Sequence, residues 1–420
     1  MHLRRRGWRL TATSALLSGV LVAAATGCGS NDETAPSVSS ASEATLGTPN
    51  KATGDPITIG FISEGKAAAI DNTDEIKAAE AAAAYANNYL GGLGGRPVQI
   101  KACETLAQPA KAKDCANQMV AANVAAVVEG VSGEVDQTIE VLAPAKIPII
   151  MHTASTQTAL VTPGVFMMFN GLSYFGAPAS AAKAAGATKT AMVVIGVPAA
   201  EGPARQVGAL LYGNSGVKVN VVAVPPGTAD MTPQITAADA GDRFHVMGND
   251  TFCTSALKAI KTVEPDAKIT IIDRCISLGS GKAIPGGYQG LDVVASTDLA
   301  TDTPDGKLFT AVLDKFGDGA KFGATAAFGY APMLGAINAL NAAKLAEFTP
   351  AAITAALQSA APTQYPLSGG IMFQCNGKQI AMSPNVCSAD GIMATASADG
   401  TLSDYRRIPA DPSLYTMPAR

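Results

Sequence analysis

Two short segments combine hydroxyls with free N–H groups at points where a helix would begin: Ser132-Gly133-Glu134 and Ser155-Thr156. Short hydroxyl side chains and exposed N–H groups at a helix start form a cradle for an anion or a carbonyl oxygen. The same residue types also cap helices, and both readings stand for Ser155 and Thr156. Glu134 adds a carboxylate to the first segment, where it would hold a ligand ammonium or sit solvated as an acid favoured by the helix dipole. Further along, Asn249 and Asp250 follow an apolar run, and Asp273 and Arg274 follow another. An acid facing a cleft there favours a cationic or amide-bearing solute. Arg274 favours a carboxylate, because guanidinium offers a planar fork of donors. Asp250 has the alternative of a turn residue ahead of a helix. Ser63, Glu64 and Tyr330 are candidates for the edge of the same site. This is binding chemistry rather than bond-breaking chemistry. There is no Gly-x-Ser-x-Gly elbow and no His-Glu-x-x-His pair. His2, His152 and His245 are scattered, and nothing orients them against a serine and an acid. No enzyme activity and no cofactor are expected.

The seven cysteines carry a second signal. Setting Cys28 aside leaves six, in three local pairs: Cys103 with Cys115, Cys253 with Cys275, and Cys375 with Cys387. Many pairings are open to six cysteines, and neighbour pairing closes the shortest loops. Disulfides are the expected state in an exported chain. The rival, a metal site, lacks the tight Cys-x-x-Cys spacing of zinc ligands.

Export is read from the start of the chain. Arg4, Arg5, Arg6 and Arg9 precede an uncharged apolar or small stretch from Leu10 to Ala25. That is the order of a secretory signal peptide, and it is short for a membrane span. Ala25-Thr26-Gly27-Cys28 resembles the bacterial lipobox, which places a signal peptide at 1–27 and a lipid on Cys28. Two or three acyl chains anchor far more firmly than one. Residues 28–54 have almost nothing apolar to bury and are expected to form a flexible tether. The rest is long enough for two cores. Net charge is −4 with 15% charged residues and no basic block after the signal, which makes nucleic acid a poor partner.

The binding residues need elements to hold them. Short apolar strands are expected at 57–62, 98–100, 124–128 and 147–151, and again at 190–195, 217–223, 244–248, 269–272 and 291–295. Helical stretches lie between them, with longer helices at 328–343 and 349–359. Apolar strands alternating with helices give parallel sheets covered on both faces. Two such series make an α/β chain with two doubly wound lobes, and a ligand then sits beyond the carboxyl ends of the strands.

The segment order resembles the type I periplasmic binding proteins that serve branched-chain amino acid transporters. The resemblance is carried by Ile57-Thr58-Ile59-Gly60-Phe61, by the helix ending Ala86-Asn87-Asn88-Tyr89-Leu90-Gly91-Gly92-Leu93-Gly94-Gly95-Arg96-Pro97, by Ile147-Pro148-Ile149-Ile150 with Thr153-Ala154-Ser155-Thr156, and by Phe328-Gly329-Tyr330 before an Ala-rich helix. It implies discontinuous lobes joined by a three-strand hinge: 56–170 plus 300–361, and 171–299 plus 362–410. It further implies that Ser132, Gly133, Glu134, Ser155 and Thr156 meet the ligand from the first lobe. The second lobe departs from the pattern: residues 197–202 contain no aromatic ring, and Arg274 or Cys275 falls where an acid is usual, a place that a one-residue slip would return to Asp273. The implied role is a monomeric receptor on the outer face of the cytoplasmic membrane, delivering a branched-chain or related amino acid to an ABC permease and ATPase complex. An importer receptor for an amide or organic acid, and a lipid-anchored sensor of the same fold, are the alternatives.

Overall fold

The structure, a computed structural model, describes residues 40–67, 71–277 and 279–417. The signal peptide and Cys28 lie outside the described residues.

The first sheet has the order β2-β1-β3-β4-β5, all parallel: β1 (Ile57–Ser63), β2 (Val98–Glu104), β3 (Ala126–Glu129), β4 (Ile149–Met151) and β5 (Val165–Met167). Every residue of β3 and β4 is buried, as a strand covered on both faces requires. One face carries the helices Thr73–Tyr85 and Ala324–Ala343, packed together with Phe309 and Ile353. The other carries Pro109–Ala121 and Val135–Leu142. The two helices on the first face approach very closely. A Cβ at Gly329 would lie 1.9 Å from the backbone oxygen of Glu75, so only glycine lets them meet this way.

The second sheet adds its strands in the order β14-β13-β10-β9-β8-β6-β7. Its parallel strands are β6 (Lys189–Ile195), β7 (Lys218–Val224), β8 (Arg243–Met247), β9 (Lys268–Ile272) and β10 (Asp292–Ala295). A two-stranded ribbon, β11 (Thr363–Gln364) with β12 (Met372–Phe373), precedes the last two strands. β13 (Gly391–Ala396) and β14 (Leu402–Ile408) then run antiparallel at the sheet edge. Helix Asp250–Val263 covers one face, and Ser173–Ala184 with Ala209–Ser215 covers the other.

The chain passes between the sheets at 168–172, 296–303 and 388–390. These passages are tied to one another and to the first sheet. Asn170 donates from Nδ2 to the Ala389 carbonyl at 2.6 Å, and the Asp298 N–H donates to the Leu367 carbonyl at 2.7 Å.

Two sequence expectations are corrected here. The stretch 363–387 does not join the second sheet. Its end lies beside β5, with the Met167 N–H donating to Asn385 and the Cys387 N–H to Met167, at 2.9 and 2.8 Å. The reason is local: Ser383 and Asn385 satisfy the carbonyls of Leu160 and Ala159, which end the preceding helix. The expected tether of 28–54 also ends early. Residues 40–46 are helical, Leu46 is buried, and the Asn50 and Ala52 N–H groups donate to Asn88 and Asn87 carbonyls at 2.9 and 2.7 Å. Those carbonyls belong to a turn of π-helix, Ala86–Leu90, that ends in left-handed Gly91 and leaves them unpaired.

All three disulfides join the neighbouring cysteines. Cys103–Cys115 ties β2 to the helix after it. Cys253–Cys275 ties helix Asp250–Val263 to the loop after β9. Cys375–Cys387 closes the loop beside β5.

Candidate ligand site between the two sheets

The carboxyl ends of both sheets face the three passages. The wall formed by the first sheet is built from carboxyl groups. β1 ends at Ser63, whose hydroxyl donates to Glu75 Oε2 at 2.6 Å. The Val131 N–H, in the loop after β3, donates to Glu75 Oε1 at 3.1 Å. Glu75 is fully buried, and Gly130 makes room for it: a Cβ there would sit 2.2 Å from Glu75 Oε2. Glu64, the residue after β1, accepts from the Gly133 N–H at 2.9 Å and from Asn72 Nδ2 at 3.0 Å. Glu129, the last residue of β3, accepts from the Thr138 hydroxyl at 2.7 Å and keeps Oε1 without a partner. Glu134 anchors its own N–H on the Ser132 hydroxyl at 3.0 Å.

Burial governs the charge of this wall. It pushes Glu75 up to about 7, with the Ser63 and Val131 hydrogen bonds opposing, Glu64 adding and Arg274 subtracting. It pushes Glu129 up to about 8 against its hydroxyl partners. Glu134 is raised too, first by burial and then by the charge of Glu64. An apolar surrounding disfavours the charged form, and neighbouring carboxylates reinforce the effect.

His152 follows β4. Its ring stacks on Phe169 with centroids 5.0 Å apart, lies 4.9 Å from Phe328, and receives or donates a 2.7 Å hydrogen bond between Nδ1 and the Tyr365 hydroxyl. Burial, and then the charge of Arg274, lower it to about 3, so it is neutral at ordinary pH.

The opposite wall is built after β8 and β9. Asp273 is committed to the second passage: its Oδ2 accepts from the Ser296 N–H and hydroxyl at 2.9 and 2.6 Å. Tyr174 sits against the same pair, and burial followed by the charge of Asp273 raises its phenol. Arg274 is exposed and its guanidinium makes no hydrogen bond or ion pair with the described residues. Its charge reaches both Glu75 and His152 on the other wall. Cys275, bonded to Cys253, fixes the loop that carries it.

The sequence candidates divide clearly. Ser132, Gly133, Glu134, Glu64 and Ser63 come together on the first wall, although Ser63 is buried and turned to Glu75. Thr156 caps the helix Gln157–Val161, accepting from the Ala159 N–H at 3.2 Å and donating to Asp136 at 2.6 Å, while Ser155 beside it is exposed. Asn249 caps helix Asp250–Val263 through the Phe252 N–H at 3.0 Å. Asp250 opens that helix near Ser277, whose hydroxyl is the largest influence holding its carboxyl below the usual carboxylate range. Tyr330 does not edge the cleft. It is buried against Phe309, 4.7 Å between centroids. Two residues turn a helix by about 200°, so Phe328, not Tyr330, reaches His152.

Glu75 and Glu129 are the residues that sequence reading missed. The signal for Glu75 was its position: 75, 79, 82 and 86 fall on one buried face of an Ala-rich helix, and a carboxylate there must have partners. For Glu129 it was an acid closing the apolar run Val127-Val128. Among the described residues these acids are not gathered into a group that could hold a metal ion, and no helix is long and apolar enough to cross a membrane.

The profile described as periplasmic binding protein matches residues 56–385. No curated protein matches the sequence. Solved structures share the fold at low identity. An ABC transporter substrate-binding protein from Sphaerobacter thermophilus is 19% identical with a TM-score of 0.68, over 85% of this chain and 97% of that one. A solute-binding protein from R. palustris in complex with 4-hydroxybenzoate is 18% identical, TM-score 0.67, over 86% and 98%. A branched-chain amino acid transporter substrate-binding protein from Streptococcus pneumoniae in complex with isoleucine is 17% identical, TM-score 0.63, over 84% and 99%. With two doubly wound sheets and three passages between them, and with the family match spanning residues 56–385, the chain belongs to the periplasmic binding protein family.

Proposed function

We propose that this protein is the extracytoplasmic receptor of an ABC importer, and that it captures one small polar solute between its two walls by closing about the passages at 168–172, 296–303 and 388–390. The observation that carries the reading is the opposition of two different polar walls, Glu64 and Glu134 against Arg274, across a three-stranded hinge. Hinge closure buries a solute and gives the membrane complex a shape to recognise. The permease and ATPase complex is the partner this role requires. The solutes seen in the fold relatives, isoleucine and 4-hydroxybenzoate, both carry a carboxylate, which the exposed guanidinium of Arg274 suits.

Anchoring through Cys28 completes the proposal. Residues 43–53 pack on the first lobe, with Glu43 paired to Lys315 at 3.0 Å. Replacing Cys28 with Ser is expected to release the protein from cells into the medium.

The test is small-angle scattering of the soluble protein against amino acids, amides, polyamines and aromatic acids, with thermal unfolding alongside. A solute that lowers the radius of gyration and raises the unfolding temperature supports the receptor. Binding with no compaction by any solute would count against hinge closure.

A further inference from the structure

The second lobe carries a cavity of about 450 Å³ at the end of its sheet that faces away from the cleft, where β8, β9 and β10 begin. β8 has five residues, so at about 3.3 Å per residue roughly 13 Å of strand separates this cavity from the carboxyl ends. Its polar lining comes from Arg243, Lys261, Lys268, Thr270, Gln289 and Asp292. The one acid, Asp292, is already paired with Arg406. Lys261 is also accounted for, because its Nζ donates to the Pro285 and Gly287 carbonyls at 3.0 and 2.7 Å.

Arg243 and Lys268 are not accounted for in this way. They open β8 and β9 side by side in register, where like charges repel. Among the described residues neither side chain makes a hydrogen bond or an ion pair, and Arg243 Nε is enclosed with no acceptor. The hydroxyl of Thr270, a residue only 6% exposed, lines the same cavity and has no hydrogen-bond partner among the described residues. Helices Ser173–Ala184 and Asp250–Val263 both end beside the cavity, and the dipole at a helix carboxyl end attracts cations. Lys261 answers that attraction through the carbonyls it holds. Arg243 and Lys268 donate to no carbonyl, so the dipoles do not explain them. Two adjacent cations, an enclosed guanidinium N–H and a buried hydroxyl, all without acceptors, suit a ligand that brings several oxygens and more than one negative charge. The guanidinium fork fits the paired oxygens of phosphate and carboxylate alike.

We infer that this cavity binds a small multivalent oxyanion, a phosphate or a di- or tricarboxylate, on Arg243, Lys268 and Thr270. The site is separate from the solute cleft and stands whether or not the receptor reading holds.

Calorimetric titration of the soluble protein with phosphate, sulfate and citrate tests it, against chloride at matched ionic strength. Saturable binding of a multivalent anion and not of chloride is expected. Tighter binding of phosphate than of citrate marks a phosphate site, and the reverse order marks a carboxylate site. Losing a charged donor typically weakens binding by about 10- to 100-fold, and Arg243→Gln is expected to do so. Lys268 is exposed, so Lys268→Gln keeps the fold, and it is expected to weaken binding by about 5-fold. Arg274→Gln, in the cleft, is expected to leave anion binding unchanged. Absence of saturable binding by all three anions overturns the inference, as does an affinity unchanged in either Arg243→Gln or Lys268→Gln. Anion binding lost in Arg274→Gln would place the anion in the cleft, which also overturns the inference and leaves the receptor reading standing.

Discussion

The two walls of the cleft solve the same problem in opposite ways. The first buries its charged groups: Glu75 and Glu129 are fully enclosed, hydrogen-bonded and pushed toward neutrality. The second keeps Arg274, whose guanidinium makes no hydrogen bond or ion pair among the described residues, in water and spends Asp273 on holding the second passage. A buried carboxyl is expensive unless it is partnered, so the first wall is preorganised and rigid. An exposed guanidinium costs little and can move, which suits the wall that the proposed closure would carry.

The largest expected effects bear on what fixes each wall. On the second, Cys253→Ala with Cys275→Ala opens a 22-residue separation and is expected to cost about 3 kcal/mol, read by denaturant unfolding, and to weaken solute binding by loosening the Arg274 loop. An unchanged affinity would show that the disulfide does not position Arg274.

On the first wall the effect is a pH dependence. Burial raises Glu75 from the ordinary glutamate value of 4.5 to about 7 in the folded protein. At low pH it is protonated folded and unfolded. As pH rises past the unfolded value, the unfolded chain loses the proton first and is favoured. Stability from this group is therefore present below about pH 4.5 and is lost up to the folded value near 7. The loss is on the order of 3 kcal/mol. Glu75→Gln is expected to flatten the stability profile over that window, with Glu64, Glu129, Glu134, Arg274 and His152 as the neighbours that remain. An unaltered slope would place the titration elsewhere.

Gly130→Ala pushes a methyl into the Glu75 carboxylate. Overpacking of this kind typically costs about 1–3 kcal/mol, and binding should fall with stability. Retained affinity would mean that Glu75 can move without consequence to the solute. The smallest effects separate caps from contacts. Thr156→Ala and Asn249→Ala each remove a helix cap, at about 1 kcal/mol. A loss of affinity larger than the loss of stability would return either residue to the ligand site.

Much of the fold was legible. The apolar runs of β1, β6, β8 and β9 have no other home than a covered parallel sheet, and the local cysteine pairs needed only short loops. The elements that escaped were those whose pattern is weak. β5 is three residues long, too short to show a period. β14, Leu402–Ile408, is largely polar because it is an antiparallel edge. The stretch 363–387 reads as a loop whichever sheet it joins, and its place is decided by Ser383 and Asn385 meeting carbonyls more than two hundred residues away. The site was half legible for the same reason. Residues next to strand ends, such as Glu64, Ser132, Gly133 and Arg274, could be named from sequence. Whether Val131 and Gly133 offer N–H groups to a solute depends on Glu75 and Glu64 reaching them, and that is set by helix packing at Gly329 and the space left by Gly130.

The most direct test of the central claim is a crystal structure with the tightest-binding solute of the panel. We predict the solute between the loops after β1 and β3 on one side and after β9 on the other, with the two walls drawn together about the passages at 168–172, 296–303 and 388–390. A solute bound outside that space, or between walls that have not drawn together, would contradict it.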